Sequence, residues 1–154
     1  MITAAELKKY LSQLFYLSLR LNSEAEAVAQ YRARAMKTTT TWQDTPNGGR
    51  AVSSPQAVWL ERAIIAQDRL KHTAAELLQR EQTAAELLQL LEEERARAIL
   101  EDYHLHRISV QAIAAKYHYS ERQIIRIKKK AYFKLTDEIN KRPELIEKIQ
   151  GVKK

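Results

Sequence analysis

The chain has 154 residues, with three glycines, three prolines, no cysteine and a formal net charge of +7. Without cysteine it can form neither a disulfide nor a thiolate metal site, and no run reaches the roughly 18 consecutive apolar residues of a membrane span. Ala, Leu, Glu, Gln, Lys and Arg dominate; these side chains lose little rotamer freedom in a helix, so the composition predicts an all-α protein. The first residues, Met1 to Glu6, lack the basic start and apolar core of a signal peptide, which points to the cytoplasm.

In chain order, Thr3 and Glu6 are spaced as a capping box. Behind them Ala4, Leu7, Leu11, Leu14, Ser18 and Leu21 alternate spacings of three and four, one apolar stripe on a helix. Ser23 to Glu26 repeats the capping signature and suggests that the helix restarts after Asn22. The pattern fades at the four threonines 38–41, and residues 38–54, with Pro46, Asn47, Gly48 and Gly49, read as the one clear linker. Trp42 inside it either packs on the neighbouring helices or meets a partner.

Ser54 and Pro55 read as an N-cap followed by proline at the first helical position. From there a periodic segment without glycine or proline runs to about Tyr103, with Ala63, Gln67, Leu70, Ala74, Leu77, Glu81, Ala84, Leu88, Leu91, Arg95 and Ala98 on one seam. Three polar residues on that seam make it a poor isolated coiled coil. It therefore calls for a hairpin with the N-terminal helices or for pairing with a second chain as a homodimer. The word TAAELLQ stands at both 73–79 and 83–89; two short copies are a local duplication rather than a solenoid.

Residues 110–129 fit a helix-turn-helix, in which two short helices cross closely around a tight turn. Ile113, Tyr117 and Tyr119 occupy positions that must be buried, Ala114 the position where only a small side chain fits, and Ile124 and Ile127 the anchors of the second helix. His118 stands where glycine is usual and left-handed backbone is expected, a conformation that histidine tolerates at some cost. Ser109 caps the first helix, and Ser120 with Gln123 forms a capping box for the second. Ile99, Leu100, Tyr103, Leu105 and Ile108 supply the supporting helix of a trihelical core.

The charge is concentrated here. Between residues 107 and 135 Arg107, Lys116, Arg122, Arg126, Lys128, Lys129, Lys130 and Lys134 stand against Glu121 alone, so this segment carries the whole net +7. Such a footprint suits a phosphate surface. With Ile124, Ile127 and Ala131 turned inward, the helical period turns Glu121, Arg122, Ile125, Arg126 and Lys129 outward, where they are candidates to read base edges in the major groove of double-stranded DNA. Either arginine suits guanine, Glu121 a cytosine amino group and Ile125 a thymine methyl. Arg107, Lys116, Ser120, Lys128 and Lys130 are candidate phosphate contacts, which fix register without reading sequence.

Residues 109–135 resemble, without a gap, the promoter-recognition domain (region 4) of bacterial sigma factors. The resemblance rests on the hydroxyl cap, Ile113, the aromatic Tyr117, the Ser120 cap, the Ile124 and Ile127 pair, and the closing Lys130, Ala131, Lys134 and Leu135. It implies that Glu121, Arg122, Ile125 and Arg126 read DNA and that RNA polymerase is a partner; Glu121 and Ile125 stand where that family commonly has basic residues, so a different DNA sequence is implied. The chain as a whole, with Met36, Lys37 and the threonines, the Pro-Asn-Gly-Gly loop and the long helix, is similar to phage and prophage late transcription regulators of the ArpU type. That likeness implies control of phage genes.

The expected organisation is a helical hairpin over 1–94 for oligomerisation or partner docking, a helix-turn-helix domain over 95–140 and a C-terminal tail over 141–154. A DNA-recognition subunit of a phage packaging complex (small terminase-like) or of a recombination complex is the rival reading, and an interaction protein that binds polymerase without touching DNA a weaker third. His104 and His106, near Glu101 and Asp102, read as a solvated helix end rather than a metal site, and His72 as an exposed residue. No nucleotide-binding glycine loop, nucleophile elbow or zincin motif is present, so neither catalysis nor a cofactor is expected.

Overall fold

The computed structural model describes residues 1–39 and 54–151. These form six helices and no strand: α1 (Ala4–Thr39), α2 (Pro55–Leu88), α3 (Glu94–His104), α4 (Val110–Tyr117), α5 (Glu121–Asn140) and α6 (Pro143–Gln150). The protein is all-α over this range. Most of the expected linker, including Trp42, lies outside the described residues.

Local chemistry starts both long helices where the sequence places them. The Glu6 amide donates to Thr3 Oγ1 at 3.2 Å and the Thr3 amide to Glu6 Oε2 at 2.9 Å, closing the capping box of α1. The Ala57 amide donates to Ser54 Oγ at 3.1 Å, with Pro55 opening α2. There is no restart after Asn22. Glu24 pairs instead with Arg20, one turn back at 3.0 Å, and α1 runs on unbroken.

A second expectation fails between Leu88 and Glu94. The periodic segment does not continue to Tyr103: Leu90 and Leu91 bond back only three residues, to the Leu87 and Leu88 carbonyls, and the helix stops. The break converts Glu92, Glu93 and Glu94 from a repulsive run at mid-helix into the N-terminal approach of α3, where the helix dipole favours acids. It also shifts the register, so that Ala96, Ile99 and Leu100 face inward instead of Arg95 and Ala98.

The described chain divides into two compact units, one of residues 1–16 with the chain from Leu77 onward, the other Leu17–Glu76. The division falls inside α1 and α2 rather than at residue 94. In the first unit Asn140, at the end of α5, holds the start of α1 through both polar atoms of its amide: the Ile2 amide donates to Oδ1 at 2.9 Å and Nδ2 donates to the Ile2 carbonyl at 3.0 Å. The expected tail is largely helix. Pro143 opens α6, Ile149 is buried, and Lys148 pairs with Glu86 of α2 at 3.1 Å. In the second unit Val28 and Ala35 of α1 and Ala63, Ala66 and Thr73 of α2 are buried, and Arg32 donates to Gln67 at 2.9 Å.

Candidate nucleic-acid interface

The geometry of α4 and α5 follows from their ends. Ser109 Oγ accepts from the Ala112 amide at 3.2 Å and starts α4. At the other end His118 is left-handed (φ 58°, ψ 41°), its amide reaches the Ala115 carbonyl, and the Tyr119 amide reaches the Ala114 carbonyl at 2.9 Å. These paired bonds satisfy the last carbonyls and turn the chain sharply. Histidine there costs about 1–2 kcal/mol relative to relaxed backbone, so the surrounding contacts must hold the turn. The Gln123 amide then donates to Ser120 Oγ at 3.2 Å and the Ser120 amide to Gln123 Oε1 at 2.9 Å, the capping box that starts α5.

Between α3, α4 and α5 lies one apolar core of Ile99, Ile113, Ala114 and Ile124, with Tyr103, Ile108, Val110, Tyr117, Tyr119 and Ile127 packed around it. Every position expected to be buried across residues 113–127 is in this cluster. Fully burying a side chain such as Ile113 or Ile124 contributes about 1.5–3 kcal/mol, and Ala114 leaves the room for close approach.

Polar fasteners hold the three helices at fixed angles. Asp102 of α3 accepts from Lys116 Nζ at 2.9 Å and from the Tyr117 hydroxyl at 2.8 Å, both on α4. Burial pushes the Asp102 carboxyl up, but those two hydrogen bonds and the Lys116 charge outweigh it and leave it below the ordinary carboxylate range. His104 is 4% exposed, and its Nε2 lies 2.7 Å from the Tyr132 hydroxyl of α5. Burial, and then the nearby Lys128 and Lys8 charges, push the ring down to about 3, so it is neutral at physiological pH. His104 is therefore no solvated helix end. It lies four residues beyond the buried Leu100, on the inward stripe of α3.

The candidate DNA-contacting residues separate into three groups. Glu121, Arg122, Ile125, Arg126, Lys129 and Lys130 are all exposed. Ile125 keeps 57% of its surface open while its neighbour Ile124 is wholly covered. Among the described residues no carboxylate lies within ion-pairing distance of Arg122, Arg126, Lys129 or Lys130. A second group is already engaged: Arg107, itself left-handed (φ 57°), pairs with Glu81 at 2.6 Å, Lys116 with Asp102, and the Ser120 hydroxyl serves the capping box.

Lys128 forms the third group and corrects the reading of it as a phosphate contact. It is 8% exposed, its ammonium sits 3.2 Å from the centre of the Tyr103 ring, and burial, followed by the Lys8 charge, pulls it down to about 8. Four residues past Ile124 and seven before Leu135, it occupies the inward stripe of α5. One outward residue was missed. Phe133 is 56% exposed, four residues after Lys129, and that spacing alone extends the open stripe to it.

Two guanidiniums one turn apart on an open helix face offer forked N–H donors that match the O6 and N7 acceptors of guanine, with an aliphatic side chain between them. Among the described residues there is no group of three or more side chains able to hold a metal, and no helix long and apolar enough to cross a membrane. No protein-family model, curated protein or solved structure matches the chain.

Proposed function

We propose that the protein is a sequence-specific DNA-binding regulator of transcription, in which α4 and α5 act as a helix-turn-helix and α5 enters the major groove. The observation that carries this reading is the two-sided character of α5: Arg122, Ile125, Arg126 and Lys129 are open on one side while Ile124 and Ala131 are buried on the other. Both arginines and Lys130 are exposed on α5, which supports base-edge contacts by the first two and a phosphate contact by the third. The resemblance to sigma region 4 and to ArpU-type regulators supports a role at phage or prophage promoters with RNA polymerase as partner. The long helices α1 and α2 would form a hairpin that docks a partner or pairs two copies, and pairing implies two half-sites in the DNA.

Selection of bound sequences from a random duplex pool, followed by anisotropy titration, tests the reading. Arg122→Ala and Arg126→Ala are each expected to weaken binding to the selected sequence by about 1–3 kcal/mol and to relax the base preference at one position. Unchanged titrations for both variants would remove α5 as the reading element.

A further inference from the structure

We infer that α2 carries a self-complementary surface on which two copies of the chain pair antiparallel, so that the partner of the long helices is a second copy. This deepens one of the two roles proposed above for those helices. Its link to two DNA half-sites rests on the reading of α5, but the surface itself rests on α2 alone. Within the second unit Ala63, Ala66 and Thr73 form the covered side of α2. Leu60, Ile64, Asp68, Lys71 and Ala75 follow one another at spacings of four, four, three and four, and each is exposed. Ile64 keeps 68% of its surface open and Leu60 45%. One exposed apolar side chain is ordinary; several at helical spacing around two opposite charges form the pattern of a seam between helices.

The order of that stripe selects its occupant. Laid antiparallel, with the two-fold axis between residues 69 and 70, a second α2 sets Ile64 against Ala75 of the second copy. The same register sets Asp68 against Lys71 of the second copy, and the symmetry makes each contact twice. A parallel pair in register would instead bring Asp68 to Asp68 and Lys71 to Lys71, which like-charge repulsion disfavours. Both charges are open to a partner. No described carboxylate forms an ion pair with Lys71. Asp68 lies 3.6 Å from the His72 ring, yet its side chain is 72% exposed. Ala75 leaves room for the facing helix to approach and for the larger Ile64 to seat. A lipid surface fits less well, because Asp68 and Lys71 stand in the middle of the stripe, where acyl chains would leave both charges unsatisfied.

The test uses the full chain, measured without DNA. Light scattering should give twice the chain mass for the unmodified protein and a monomer for Ile64→Glu, with circular dichroism showing that the helices persist. Asp68→Lys and Lys71→Asp should each raise the dimer dissociation constant about tenfold or more, since like charges then face each other. Mixing those two variants brings opposite charges together again and should restore the dimer. The chain has no cysteine, so a disulfide reports the register. Under oxidation Ile64→Cys alone should not cross-link, because the two copies of residue 64 stand at least about 16 Å apart at 1.5 Å of rise per residue. Mixed with Ala75→Cys it should cross-link. A monomeric unmodified chain, or cross-linking by Ile64→Cys alone, overturns the antiparallel pair. A monomer that sediments with phosphatidylglycerol vesicles through Ile64 assigns the stripe to a membrane and overturns it too. A monomer that binds its selected duplex through Arg122 and Arg126 overturns this surface and leaves the α5 reading standing. A dimer whose DNA titration is unchanged by Arg122→Ala with Arg126→Ala keeps this surface and overturns that reading.

Discussion

The inward and outward faces of α5 are built from the same few residue types. Isoleucine and lysine occur on both, yet Ile124 and Lys128 are buried while Ile125 and Lys129 are open to solvent. Net charge and composition cannot distinguish these neighbours. The helical period can, because positions 124, 128, 131 and 135 share one stripe and 122, 126, 129 and 133 another. A basic helix is thus two objects: a packing surface that includes one lysine, and a donor surface that excludes it.

The isoleucine pair breaks this comparison most severely if it is wrong. Ile124→Ala empties a fully covered site between α3, α4 and α5 and should cost about 2–5 kcal/mol in a urea melt. Ile125→Ala should move the same midpoint by no more than about 0.5 kcal/mol and act on DNA binding instead. Equal destabilisation by the two would mean that α5 has no free face.

A second prediction concerns the fastener between α3 and α5. His104 is held near 3 in the folded protein, whereas an unfolded chain protonates its histidines near 6.5. Below pH 6.5 the unfolded state therefore binds a proton that the folded state refuses. Stability from this residue is complete above that pH and falls as the pH drops toward 3. Between pH 6.5 and 5 the loss should be about 1–2 kcal/mol, read from urea midpoints. His104→Gln removes the titrating ring and should abolish that slope. A slope that survives the substitution would place the proton elsewhere.

What the sequence made legible, and what it hid, divides along the same physical line. The caps at Thr3, Ser54, Ser109 and Ser120 were readable because a capping hydrogen bond is local, made within three residues. Ile113, Ala114 and Ile124 were readable because burial leaves an apolar period. The break after Leu88 was hidden, since no glycine or proline marks it and only the three glutamates hint at a helix end. Asp102, His104, Lys128 and Tyr132 were hidden for another reason. Their roles depend on partners between 14 and 28 residues away, or on the Tyr103 ring beneath an ammonium, and a polar residue on an inward stripe looks like a surface one until its partner is known. The stacking of the Tyr31 and Trp59 rings, which joins α1 to α2 across 28 positions of the chain, is of this kind as well.

The smallest expected effect is the sharpest test of the two faces, because it compares consecutive residues of identical chemistry. Lys128 lies over Tyr103 with its charge disfavoured by burial, and replacing a desolvated charge with an apolar side chain of similar length is often neutral or stabilising. Lys128→Met should therefore change stability by no more than about 1 kcal/mol, the lost ring contact offsetting the relieved desolvation. Its salt dependence of DNA binding should match that of the unmodified protein. Lys129→Met should leave the melt alone and flatten the salt slope by about 0.9 if that ammonium meets a phosphate, or leave the slope and weaken one sequence if it meets a base. A flattened slope for Lys128→Met would require α5 to roll by close to half a turn on binding, carrying Ile124 out of the core. A helix anchored at Ile124, His104 and Asn140 resists that motion with the same contacts that define its inward face.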